Sequence, residues 1–219
     1  MIEFYVNLSA GIKASLIVTT FLMISTAILG LKVKKMKYSD VPSGITLIAI
    51  MFVEGVNEMQ HDFFKKYWKQ FTPYTMTVLL FLMFANTASL AGLSAPLSNI
   101  TVALSFSIFA FGSVQIAALF TRKPLQRIKD LLDPHWAFLP VNLVGEMSTP
   151  FAMGIRLFGN LLSGAIIGII LYGVLSWGGI LVGAFLLHPI FDLFFGLVQA
   201  YVFFMLLSIF ISNAVEVED

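Results

Sequence analysis

The sequence predicts an all-α membrane protein: five transmembrane helices plus one interfacial amphipathic helix, the last two spans long, tilted and antiparallel, in a single integral membrane domain over residues 1–219. Three observations carry that expectation. Hydrophobic residues make up 58% of the chain and charged residues 11%, with a mean hydropathy of +0.92, whereas soluble domains carry roughly 25% charge. Charge-free segments run from Ala14 to Leu31, Phe71 to Thr121, Leu157 to Phe191 and Leu193 to Val215. Each can cross roughly 30 Å of hydrocarbon at about 1.5 Å per residue, and the second can cross twice. Cations gather in three patches: Lys32, Lys34, Lys35 and Lys37; Lys65, Lys66 and Lys69; Arg122, Lys123, Arg127 and Lys129. The positive-inside rule places these patches in the cytoplasm and the cation-free loops around Ser94 to Asn99 and Trp177 to Gly179 outside. The amino terminus is then outside, and the acidic tail Glu216, Glu218 and Asp219 is cytoplasmic.

The first span, about 14–31, lacks a basic start and a small-residue cleavage site ahead of it, so it reads as a retained helix. The absence of cysteine excludes a disulfide framework and a thiolate metal site. From about 45 to 70 the pattern changes. The apolar run stops at Glu54, after which Phe52, Val56, Met59, Phe63 and Tyr67 recur at steps of three or four while Glu54, Glu58, Asp62 and the lysines take other faces. This helix is expected along the cytoplasmic interface, against lipid or against the protein's own surface. Tyr67 and Trp68 suit that depth, and Pro73 is expected to separate it from the next span.

Spans two and three, about Tyr74 to Leu93 and Asn99 to Thr121, form a hairpin around Ser94-Ala95-Pro96. Asn86 and Gln115 are their polar interior candidates, either lining a water path or bonding helix to helix. Past Asp133-Pro134 and Pro140, a helix is expected from about Asn142 to Ser176, ended by Trp177-Gly178-Gly179. A second runs from about Ile180 to Asn213. Both exceed the length of a perpendicular crossing, which implies tilt or a kink, with Pro189 as the obvious kink site.

Between Pro134 and Val215 the only formal charges are Glu146, Arg156 and Asp192. A guanidinium cannot discharge itself to enter hydrocarbon, and its burial there costs between about 3 and more than 10 kcal/mol. Steps of four through the first long helix pass Ser148, Ala152, Arg156, Asn160, Gly164 and Gly168, all small or polar apart from the arginine. Such a line drifts about 40° per step and suits a partner that crosses at an angle and approaches closely. For Gly164 and Gly168 alone, ordinary small-residue helix packing is the plainer account of the pattern. Ser163 joins Ser148, Asn86 and Gln115 as a possible channel-lining residue.

On the second long helix His188, Asp192, Gly196 and Gln199 share one face, an arrangement that fits an ion or proton path. A structural ion pair between Asp192 and Arg156 is the plainer alternative. If the two helices form a tight hairpin about Gly178, Arg156 falls opposite Gln199, and Asp192 lies nearer the outer surface. His188 and Asp192 are four apart, as a shared metal would want, but a His-Glu-x-x-His segment and a third ligand are missing, so no metal or other cofactor is expected.

Pro150-Phe-Ala-Met-Gly-Ile-Arg156-Leu-Phe-Gly-Asn160, preceded by His135-Trp-Ala-Phe-Leu-Pro-Val-Asn142 and followed by Val198-Gln199-Ala200-Tyr201-Val202-Phe203, resembles subunit a of the F-type ATP synthase. The resemblance is strong from Asp133 to Val215. It implies a bacterial plasma-membrane stator subunit, not itself an enzyme, which binds no nucleotide and no nucleic acid. Its implied partners are the c-subunit ring, the peripheral-stalk b subunits, the F1 sector indirectly, and membrane lipid. Two proton half-channels against the ring would couple proton translocation to rotation. Arg156 would face the ring, with Ala152, Gly164 and Gly168 as small residues beside it. Asn160 would be a polar neighbour and Gln199 a partner on the last helix. Glu146 would lie on the cytoplasmic side, with Asp192, assisted by His188, on the outer path. Some members carry an acid nine residues after the arginine, where this chain has Ala165. An ion-coupled secondary transporter is the alternative; it predicts function by the isolated chain.

Overall fold

The computed structural model describes residues 10–37, 41–42, 44–91, 93, 95–121, 139–182, 190 and 193–215. Six α-helices organise them: α1 (Ala10–Lys35), α2 (Ile45–Phe64), α3 (Trp68–Thr87), α4 (Ile100–Thr121), α5 (Leu139–Val182) and α6 (Gly196–Val215). All described regular structure is helical, as the sequence predicts, because hydrocarbon leaves backbone N–H and C=O groups no partner outside the segment itself. Among the described residues, four segments are long and apolar enough to cross a membrane: Ala10–Lys35, Ile100–Thr121, Phe151–Ile170 and Leu193–Val215. The chain is a multi-pass integral membrane protein.

The helix α3 is long enough to cross but is richer in hydroxyl and amide groups. Its threonines return their hydroxyls to the preceding turn, Thr72 to Trp68 O at 2.6 Å and Thr77 to Pro73 O at 2.7 Å, so their polarity is neutralised locally. The division between α2 and α3 differs from the expectation. The chain turns at Lys65, with φ 40°, through a short 3₁₀ segment Lys65–Tyr67, and Pro73 sits inside α3 rather than ahead of it. Burial of Phe64 and its ring contact with Phe71, 5.5 Å between centroids, place the corner before the proline.

The hairpin between α3 and α4 falls where the sequence places it, through 3₁₀ segments Ala88–Ala91 and Pro96–Ser98. Asn99 starts α4: its side-chain oxygen accepts the Thr101 N–H at 2.9 Å, satisfying one of the orphan donors of the first turn. The beginning of α1 lies against this loop, since a Cβ added at Gly11 would stand 3.2 Å from Pro96 O. Otherwise α1 is marginal, with only Ala14 and Val18 buried.

The core lies between α3, α4 and α6. Small residues line α4 at Ala103, Ser107, Ala110, Val114, Ala117 and Ala118, and large ones fill the spaces they leave, notably Leu82, Phe203, Phe204 and Leu207. Phe106 stacks on Phe81 at 5.4 Å and tilts against Phe203 at 5.5 Å. Lipid tails are as apolar as these side chains, so close van der Waals fit rather than exclusion of water holds the helices together.

The first long helix is longer than expected. It runs unbroken through Trp177, Gly178 and Gly179 to Val182. Two helical glycines cost about 1 kcal/mol each, less than exposing unpaired backbone groups in an apolar setting. The hairpin is therefore not centred on Gly178. The last helix begins later than the expected Ile180: π-helical turns at residues 190 and 193–195 precede α6. Pro189, His188, Asp192 and the third basic patch lie outside the described residues.

Candidate functional site

Two sides of α5 have different fates. Met153, Gly154 and Leu157 turn inward against α4, Leu157 with 1% of its surface exposed. The approach is close at Gly154, where an added Cβ would meet Leu104 Cα at 3.2 Å and Ser107 Oγ at 3.1 Å. At about 100° per residue, the opposite side carries Ser148, Ala152, Ile155, Arg156 and Ser163, all exposed. Packing against α4 thus presents Arg156 outward. Among the described residues, no carboxylate or amide pairs with its guanidinium. Ser148 gives its hydroxyl to Gly145 O at 2.9 Å, leaving a small polar surface one helical step from Ala152.

The line of small residues divides. Ala152 is exposed, Gly164 is half-buried and Gly168 is buried within the chain itself. This corrects the expectation that all three share Arg156's outward surface: a drift of about 40° per step carries Gly168 round to the protein side. The backbones of Glu146 and Asn160 lie within α5, while their side chains are outside the description.

Gln199 is 6% exposed and shares the core face of α6 with Gly196, Ala200 and Phe203. Arg156 points away from the core, so the structure does not bring the two together, and the hairpin symmetry that suggested their pairing is replaced by the longer α5. For Asn86 the structure shows a bond between helices. The residue is buried, and its amide donates to Gly196 O at 2.9 Å, bonding α3 to α6. A Cβ at Gly196 would stand 3.0 Å from Asn86 Cβ, so the glycine permits that approach. Gln115 is half-buried on α4.

Sequence reasoning missed a second polar contact. Gln60 of α2 is fully buried and donates to Ser208 Oγ at 2.9 Å, Ser208 donates to Phe204 O at 2.8 Å, and Ser212 donates to Phe63 O at 2.6 Å. These bonds tie the end of α2 to α6. Nothing in the local pattern marks Gln60, which sits among charged residues that are all exposed.

The family described as ATP synthase A chain matches residues 14–212, nearly the whole sequence. The chain belongs to this family. Among its relatives, ATP synthase subunit a 2 of Bradyrhizobium sp. (strain BTAi1 / ATCC BAA-1182) is 29% identical over 203 residues, covering 91% of this chain and 87% of the relative. The protein of the same name from Chlorobaculum tepidum is 30% identical over 216 residues, covering 90% of this chain but 60% of the relative's length. ATP synthase subunit a of Aeromonas salmonicida is 29% identical over 211 residues, with 84% and 80% covered. Family membership accords with the all-helical, multi-pass architecture around the Arg156 helix.

Proposed function

We propose that this chain is the stator subunit of a rotary ATP synthase membrane sector, forming two proton half-channels against a ring of c subunits and coupling proton flow to rotation. The observation that carries the reading is Arg156, exposed on the side of α5 opposite its packed face, beside Ala152, Ser148 and Ser163. A guanidinium with no acidic partner among the described residues is costly there unless a passing anion meets it. A ring carboxyl facing lipid must be protonated. At about 4 Å from Arg156 and an effective dielectric of about 20, its ionised form gains roughly 4 kcal/mol, which favours proton release at that point.

In this reading Asp192, with His188, supplies protons from outside, and Glu146 leads them to the cytoplasm. Asn160, one turn along α5, keeps the arginine's surroundings polar without neutralising it, while Gln199 acts from the core face of α6. The fixed positive charge also blocks direct passage between the half-channels, so each proton must travel round on the ring. A proton crossing 100 mV yields about 2.3 kcal/mol. Stalk b subunits would hold the chain still while the F1 sector uses the rotation. The site would sit in a bacterial plasma membrane, amino terminus outside and carboxyl terminus in the cytoplasm.

The test is Arg156→Ala and Arg156→Lys in the reconstituted complex. ATP-driven proton pumping should be lost in the first and severely reduced in the second, because a compact ammonium lacks the planar fork of donors. Pumping at the unsubstituted rate in both would refute the role.

A further inference from the structure

The corner between α2 and α3 combines features that the arginine chemistry does not use. Lys65, Lys66 and Lys69 are exposed within five residues of one another, interleaved with half-buried Tyr67 and Trp68. Lys69 Nζ lies 5.6 Å from the Trp68 ring centroid and Lys66 Nζ 6.0 Å from that of Tyr67, distances at which an ammonium is drawn to the ring face. His61 meets the edge of Trp68 with centroids 5.9 Å apart. The opposing acid nearest in sequence is Asp62, itself exposed; Glu58 and Glu54 lie one and two turns further back along α2. Among the described residues the corner therefore carries a local excess of positive charge.

The rest of α2 indicates what covers it. Ile45, Ile48 and Met51 are 74%, 68% and 62% exposed, an apolar surface that suits acyl chains better than water. Acyl chains against that surface place the lysine corner at headgroup level, where aromatic rings with one polar edge also settle. We propose that Lys65, Lys66 and Lys69, framed by Tyr67 and Trp68, form a binding site for the phosphate headgroup of an anionic phospholipid.

Occupation of this site has a path into the core. The end of α2 is bonded to α6 through Gln60 to Ser208 and Ser212 to Phe63 O, and α6 carries Gln199. A headgroup that fixes the corner also fixes the helix packed beneath it. The proposal is separate from the role of Arg156, since its readout is lipid selectivity and needs no proton pumping.

The experiment uses the full chain in phosphatidylcholine vesicles containing a trace of spin-labelled phosphatidylglycerol or spin-labelled phosphatidylcholine, with motionally restricted label measured by electron spin resonance. A lysine near an anionic surface contributes roughly a fivefold preference. The unsubstituted chain should enrich phosphatidylglycerol over phosphatidylcholine by about fivefold or more, with the preference falling as salt rises. The combined Lys65→Gln, Lys66→Gln, Lys69→Gln variant should lower it severalfold, leaving what the other two basic patches supply, while Lys→Arg at all three positions retains it. Helical circular dichroism unchanged between the two variants separates lost charge from lost fold. Equal enrichment in the glutamine variant would overturn the proposal. So would an unchanged preference accompanied by failure of the variant to retain another subunit of the complex, which would assign the lysines to an acidic protein partner.

Discussion

Asn86 and Gly196 meet in one of the closest contacts between α3 and α6: the amide donates to the glycine carbonyl at 2.9 Å, and no side chain fits between them. The contact explains two residues at once, a buried amide and a glycine at the start of a helix. We expect Gly196→Ala to destabilise the isolated chain by about 1–3 kcal/mol, as overpacking does. Because the obstruction is Asn86 Cβ, Asn86→Gly in the same chain should recover part of that loss, giving a coupling of about 1 kcal/mol in a double-mutant cycle. Unfolding in detergent measures it, and additive effects would contradict the geometry.

Gly154 and Gly159 predict opposite behaviour on one helix. A Cβ at Gly154 meets Leu104 and Ser107 of α4, whereas one at Gly159 meets nothing within 4 Å. Gly154→Ala should lower the stability of the isolated chain by about 1–3 kcal/mol. Gly159→Ala should leave it unchanged or raise it by up to about 1 kcal/mol. If a ring approaches the Arg156 side of α5, Gly159→Ala will nonetheless slow proton pumping in the complex, and pumping at the full rate would argue against close approach there.

The Gln60 and Ser208 pair should respond asymmetrically. Gln60 Oε1 has no partner in the described structure, so the residue already carries one unmet acceptor. Ser208→Ala would strand its amide as well, at a cost of about 1–3 kcal/mol, whereas Gln60→Met removes both polar ends and should cost less than about 1 kcal/mol. Detergent unfolding of the two variants side by side decides the order.

Lys65 holds φ at 40°, a conformation that a side chain resists and glycine does not. Lys65→Gly should stabilise the corner by up to about 1 kcal/mol in uncharged detergent. The same substitution should weaken phosphatidylglycerol enrichment, because it removes one of three cations; stability and lipid selectivity would move in opposite directions.

Membrane class, the helical content and the hairpin at Pro96 were legible before any coordinates, and so was the segment around Arg156 that carries the family resemblance. Less legible were the ends of the long helices. Gly178-Gly179 has the composition of a stop, yet α5 passes through it, because in an apolar setting pairing the backbone outweighs glycine's preference for disorder. For Asn86 a bond between helices was the plainer reading, but its partner, the Gly196 carbonyl 110 positions away, had no local signal. Gln60 gave no local signal, since its burial depends on Ser208, 148 positions away.

By itself the sequence determined that the chain crosses a membrane, that it does so as helices, and that one arginine lies on the longest of them. Hydropathy and charge suffice for this, because the cost of placing a charge or an unpaired peptide group in hydrocarbon does not depend on which helix is nearby. Only the tertiary structure decided which side of each helix meets protein. Helices such as α4 are apolar all round, and lipid is as apolar as a protein core, so periodicity cannot distinguish the two. Small differences of shape do so instead: Gly154 against Leu104 turns Arg156 outward, and Gly196 against Asn86 turns Gln199 in.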